Sequence, residues 1–162
     1  MFDHEKLDVY QMELQFIGWV TPLLDEVSKS DVGRTREVCD QLERASLSAL
    51  LNTAEGNGKR QRQVRAKFFD DARGSATECA GCLDALVAKK ILAPDRIFAG
   101  KQMLGRVVSM LCGLIDRFDS GNALHDENTD IPQRAPFEPV EPVRYMKSRT
   151  RTITRTRTRT KI

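Results

Sequence analysis

Apolar residues recur every three or four positions along most of the first 120 residues, which is the spacing of amphipathic α-helices. Interruptions of this spacing divide the region into four segments. The pattern predicts helices over residues 3–27, 35–55, 61–91 and 94–121. Because short links between long amphipathic helices favour antiparallel neighbours, the sequence predicts an all-α fold, an up-down-up-down four-helix bundle without strands.

Residue types near the predicted helix ends refine these boundaries. Thr35 suits the N-cap of the second helix, since its hydroxyl can accept a hydrogen bond from a backbone N–H in the first turn. Gly56 and Gly58 are expected to end that helix in the left-handed conformation. Pro94 is favoured at the first position of the fourth helix, where its missing N–H costs nothing.

The first helix carries two apolar lines. The line expected to face the core is Leu7, Tyr10, Leu14, Ile17 and Leu24. The second line lies roughly opposite and consists of Val9, Met12, Phe16, Trp19 and Leu23. A peripheral bundle helix needs one apolar face, so the second line predicts an oligomer interface anchored by Phe16 and Trp19. The alternative is that loops or the C-terminal tail cover this line.

Three motifs between residues 41 and 79 carry a family resemblance. They read QLERASLS (residues 41–48), NTAEGNGKR (52–60) and FFDDARGSATEC (68–79). They resemble the signature of small four-helix-bundle proteins encoded in intervening sequences of bacterial 23S ribosomal RNA, over residues 5–120. That family is related to the accessory proteins of diversity-generating retroelements. The resemblance implies a homo-oligomer and favours a ring, since ring-shaped homopentamers occur among the relatives, without fixing the ring size. It also implies nucleic acid or a reverse transcriptase as partner.

Charge is distributed unevenly along the chain. The net charge is +3, yet residues 144–162 hold eight basic residues and no acidic one. The residues before them hold 18 basic and 23 acidic side chains. Prolines are frequent between residues 132 and 142, and an Arg-Thr repeat follows. The sequence therefore predicts a bundle over 1–121, a Pro-rich linker over 122–143 and a disordered basic tail over 144–162.

Two basic regions are candidates for nucleic-acid binding, because phosphate contacts require dense cations. The first is the cluster Lys59, Arg60, Arg62, Arg65 and Lys67. The second is the tail, with Arg149, Arg151, Arg155, Arg157 and Arg159. The cluster has the alternative reading of a solvated face, and the tail that of a by-product of a gene repeat.

Candidate chemistry is sparse. Cys79 and Cys82 have the spacing of a redox or half-zinc motif, but they fall on the expected core line in mid-helix, without two further zinc ligands. We interpret them as packed thiols. No phosphate-binding loop or nucleophile arrangement is present, and the two histidines lie near the ends of the chain. We expect no enzymatic activity, no cofactor and no metal.

The expected location is the cytoplasm. No apolar run is long enough to cross a membrane, and the N-terminus lacks the apolar core of an export signal. The sequence therefore indicates a non-enzymatic oligomer that associates with nucleic acid or a ribonucleoprotein. The alternatives are a protein-binding adaptor, such as a reverse-transcriptase accessory subunit, and a self-assembling scaffold.

Overall fold

The computed structural model of the chain describes residues 2–30 and 32–119. A short 3₁₀ turn at Asp3–Lys6 precedes four α-helices, which are α1 (Asp8–Ser30), α2 (Val32–Gly58), α3 (Arg62–Ala88) and α4 (Pro94–Asp119). The described residues contain no strand, so the predicted all-α fold of four helices is confirmed. The predicted linker and tail, and with them the tail arginines, lie outside the described residues.

Contacts between successive helices run in opposite directions along the chain. Gln41, early in α2, donates a hydrogen bond to Glu78 in the second half of α3. Ser48, further along α2, lies 3.0 Å from Ser75, which comes earlier in α3. Between α3 and α4, Lys101 pairs with Asp84. Such contacts are those of antiparallel neighbours, the arrangement that short links favour.

The glycines near the end of α2 do not stop it. Both Gly56 and Gly58 belong to the helix, and neither has a positive φ. Gly56 is buried, and a Cβ placed there would lie 2.9 Å from the Cβ of Phe68. Its role is therefore to let α3 approach α2 closely. Thr35 is likewise not a cap, because it is fully buried inside α2.

The third helix ends three residues earlier than predicted, at Ala88. Lys90 adopts a left-handed conformation with φ of 61°, and the N–H of Ile91 donates to the carbonyl of Leu86. This is the geometry of a Schellman motif, which glycine usually provides. Since lysine occupies the position here, the sequence carries no signal for the stop.

The apolar line of α1 that was predicted to form an interface packs in the core, together with Leu7 and Leu24 of the other line. Five residues assigned to an oligomer interface instead pack in or against the core of a single chain: Val9, Met12, Phe16, Trp19 and Leu23. Leu14, from the line expected inside, is 40% exposed. The interface assignment is therefore wrong for this line. Shape explains the placement of Trp19, because its ring fills the space beside Gly100, where an added Cβ would overlap it.

Candidate nucleic-acid interface at one end of the bundle

One end of the bundle joins the last turn of α2, the first turn of α3 and the last turn of α4. Arg62 in α3 donates a hydrogen bond to the backbone carbonyl of Arg117 in α4. Arg65 donates to the backbone carbonyl of Asn57 at 2.8 Å and to its side-chain oxygen at 3.0 Å. The final carbonyls of a helix have no partner within the helix and carry partial negative charge, so cations are stabilised there.

An aromatic ring organises the same arginines. The guanidinium of Arg65 lies 4.5 Å from the centroid of the Phe118 ring, and that of Arg62 lies 5.4 Å away. Arg117 is within 5.9 Å of the same ring. Phe118 in turn packs against Phe69, with ring centroids 5.8 Å apart. Cation–π attraction therefore fixes three arginines around one ring that is anchored in the core.

We define the arginine cluster as Arg60, Arg62, Arg65 and Arg117. Arg60, Arg62 and Arg117 are exposed, and Arg65 is half-buried. The partners of Arg62 and Arg65 are carbonyls, an amide and a ring, all uncharged. No ion pair among the described residues involves any of the four. The positive charge of Arg62 and Arg65 is therefore held in place without being neutralised.

The two lysines of the predicted basic cluster behave differently. Lys59 forms an ion pair with Glu55 at 2.7 Å, and Lys67 forms one with Asp71 at 3.0 Å. The structure thus divides the predicted five residues into three arginines with free charge and two lysines with adjacent carboxylates. Arg117 was not predicted from the sequence. It joins the arginine cluster only because the end of α4 lies beside the start of α3.

The cysteine environment favours packing. Cys79 is completely buried, and burial raises the pKa of its thiol to about 12. Burial also raises the pKa of the Cys39 and Cys82 thiols. Metal binding and nucleophilic attack require the thiolate, which these sites disfavour. Among the described residues, no group of three or more His, Cys, Asp and Glu side chains is arranged to hold a metal ion.

A second exposed feature is an apolar row on α1 and α2, which we call the leucine face. Its members are Leu14, Leu47 and Leu51, and the last two are 51% and 57% exposed. Ile17 and Leu47 line one groove of about 260 Å³ between the two helices. Because Leu14 precedes Ile17 by one turn and Leu51 follows Leu47 by one turn, the row is continuous along the antiparallel pair.

None of the described helices combines the length and the apolarity needed to cross a membrane. A search of curated proteins finds no match to the chain. A family model described as 23S rRNA-intervening sequence protein matches residues 5–113, which include all three sequence motifs and most of α4. Since this match covers more than half of the length of the chain, the chain belongs to the 23S rRNA-intervening sequence protein family.

Proposed function

We propose that this chain is a non-enzymatic helical protein that associates with nucleic acid through the arginine cluster. The observation that supports this proposal is the uncompensated charge of Arg60, Arg62, Arg65 and Arg117. Binding to nucleic acid gains free energy when cations replace the counterions around phosphates. A cation that already faces a carboxylate contributes less, so the neutral partners of these arginines matter.

The geometry also indicates how selective the contact is. Guanidinium groups bind phosphate oxygens in a bidentate fashion, and Arg60 and Arg62 are exposed enough to do so. Arginines already cover Phe118, so its ring is not available to stack on a base. Without base stacking or a groove-reading helix, binding should depend on the phosphate backbone and little on sequence. Asp116 and Asp119 lie beside Arg117 in the sequence, and their negative charges weaken the positive potential of this end at long range. Binding should therefore depend on direct contacts between arginines and phosphates more than on long-range attraction.

Charge reversal with a matched control tests this proposal. The double variant Arg60→Glu/Arg62→Glu should weaken binding of a fluorescein-labelled single-stranded RNA at least about tenfold at low salt, since two phosphate contacts become repulsive. The control Arg36→Glu/Arg106→Glu makes the same change of net charge at exposed positions on α2 and α4, outside the cluster. It should weaken binding much less. Equal losses in both variants, or no loss in either, would contradict the assignment.

A second candidate function is assembly with another copy of the same chain through the leucine face. Three exposed leucines in a continuous row are typical of a protein interface rather than of isolated surface residues. The resemblance to relatives that form ring-shaped homopentamers favours a second copy as the occupant. An adaptor role, for example beside a reverse transcriptase, would use the same face.

The oligomer proposal is tested by hydrodynamics. Leu47→Glu/Leu51→Glu should convert the oligomer to a smaller species in analytical ultracentrifugation, because it places charges in an apolar contact. Phe98→Glu changes a side chain on α4 that is 62% exposed and lies outside the face, so it should leave the oligomer intact. A monomeric wild-type protein would refute self-assembly and leave the adaptor as the remaining use of the leucine face.

A further inference from the structure

Among the described residues, one acidic side chain lies buried in the core of the bundle. Glu13, on α1, is only 3% exposed, and Thr53, on α2, is completely buried. The Thr53 hydroxyl donates a hydrogen bond to Oε1 of Glu13 at 2.8 Å. The other carboxyl oxygen, Oε2, is buried without a partner among the described residues. An unpartnered oxygen costs much less on a neutral carboxyl than on a carboxylate.

The surroundings of Glu13 offer no cation to offset a negative charge. It borders a cavity of about 10 Å³, which all four helices line and which is large enough for at most one water molecule. The lining residues are Glu13, Phe16, Ser46, Ala49, Ala76, Cys79, Leu104 and Val107. None of them is a cation. Ionisation of Glu13 would therefore leave a charge stabilised by one hydroxyl.

The proton on Glu13 is expected to be lost in a mildly alkaline window. Burial raises the pKa of Glu13 to about 8, against a smaller opposing effect of the Thr53 hydrogen bond. The other titratable group in the cavity lining is Cys79, which faces Glu13 from α3. Burial raises the pKa of Cys79 to about 12, so it remains a neutral thiol. In the cavity lining, α2 contributes Ser46 and Ala49 and α4 contributes Leu104 and Val107, none of which is titratable.

We propose that Glu13 acts as a proton-dependent latch that holds α1 on the bundle: the neutral carboxyl stays buried beside Thr53, whereas the carboxylate releases α1 because one hydroxyl does not offset the cost of its burial. We expect α1 to be the helix that is released, because α3 packs against α2 and α4 more extensively than α1 does. The direction of the pH dependence follows from the raised pKa of Glu13. The stabilisation that Glu13 contributes is complete below the ordinary carboxyl pKa of 4.5 and is lost as pH rises through about 8.

The protein carries its own reporter for this motion. Trp19 is the one tryptophan of the chain, and it lies on α1 against Gly100 of α4. In the full-length protein, raising pH from 6 to 9.5 should shift the Trp19 emission to longer wavelength with a midpoint near 8. Glu13→Gln, which keeps the shape and cannot ionise, should remove the transition. Thr53→Val removes the hydrogen bond that lowers the pKa, so it should move the midpoint upward.

Glu43→Gln is the matched control, because Glu43 is exposed on α2 and its neutralisation should leave the midpoint unchanged. Circular dichroism recorded in parallel should show the helix content retained. The latch is overturned if the wild-type emission does not change between pH 6 and 9.5, or if Glu13→Gln shows the wild-type transition. It is also overturned if helix content is lost at the same midpoint, since that result means global unfolding, or if Thr53→Val leaves the midpoint in place.

Discussion

The arginines at the two ends of the bundle have different kinds of partner. At the end where α2 gives way to α3, Arg62 and Arg65 bind carbonyls, an amide and an aromatic ring. At the other end, Arg96 pairs with Glu26 at 2.7 Å, and Lys101 pairs with Asp84. Arg96 and Arg117 belong to the same helix, and a rise of 1.5 Å per residue separates them by roughly 30 Å. We call the second region the paired end.

The difference shows that the number of cations in a segment does not decide where a protein presents positive charge. A carboxylate partner cancels most of the local charge, whereas a carbonyl or a ring orients the cation and leaves its charge available. Packing follows the same division. At the paired end Trp19 rests on Gly100, but at the arginine cluster a groove of about 380 Å³ separates the N-terminus of α1 from the last turns of α4.

The largest expected effect on stability tests this difference in packing. Gly100→Ala should destabilise the protein by roughly 3 kcal/mol, since the new methyl would overlap the Trp19 ring, which is held in the core. Gly113→Ala is the control near the arginine cluster, where a Cβ would meet no atom within 4 Å. It should stabilise the protein by up to about 1 kcal/mol through helix propensity. Urea unfolding of both variants measures this, and equal effects would refute the packing contrast.

The Trp19 contact also shows what the sequence could and could not predict. The three-to-four spacing is local, so it predicted the four helices and their order correctly. Both lines of α1 are apolar, so periodicity did not determine which one faces inward. That choice depends on the space beside Gly100, a residue about 80 positions away in the chain.

The functional residues also divide into those that the sequence could predict and those that depend on contacts between helices. The lysines and arginines near the α2–α3 link were visible as a run in the sequence, but their partners were not. Glu13 did leave a signal, because it occupies a core position in the series Val9, Glu13, Phe16 and Val20 at helical spacing. An acidic residue in such a series is the pattern by which the buried carboxyl could have been predicted. For Arg117, the sequence contains no comparable signal beyond its position in the last turn of α4.

A smaller effect concerns the arginine that is most involved in structure. Arg65→Met should cost roughly 1–2 kcal/mol, because it removes the hydrogen bonds to Asn57 and the contact with Phe118 while keeping the aliphatic length. Its Nε is buried without a partner, which reduces the loss. Arg65→Lys keeps the charge but not the planar fork, so it should recover only part of the stability. Full stability of Arg65→Met would show that these contacts are incidental.

The smallest effect is expected from the ion pair at the paired end. The pKa of Glu26 is lowered by its hydrogen bond and charge interaction with Arg96. The pair therefore stabilises the fold above the ordinary pKa of 4.5, and this contribution is lost as pH falls through the lowered value. Glu26→Gln should reduce stability slightly at pH 7 and low salt, and not at high salt, since the pair is exposed. If Glu26→Gln still lowers stability at high salt, the Glu26–Arg96 pair is not an exposed interaction that salt screens.

RNA binding by a fragment of residues 1–121, measured across a salt series, tests most directly whether the arginine cluster is the nucleic-acid site. This fragment keeps all four arginines of the cluster and omits the basic tail. With about −0.7 per phosphate contact on a single strand, the three exposed arginines predict a log–log slope of about −2 per protomer. Arg60→Glu/Arg62→Glu in the same fragment should flatten that slope by about two thirds. The account is contradicted if the fragment does not bind at low salt while the full-length chain does, because the binding site would then lie in the tail.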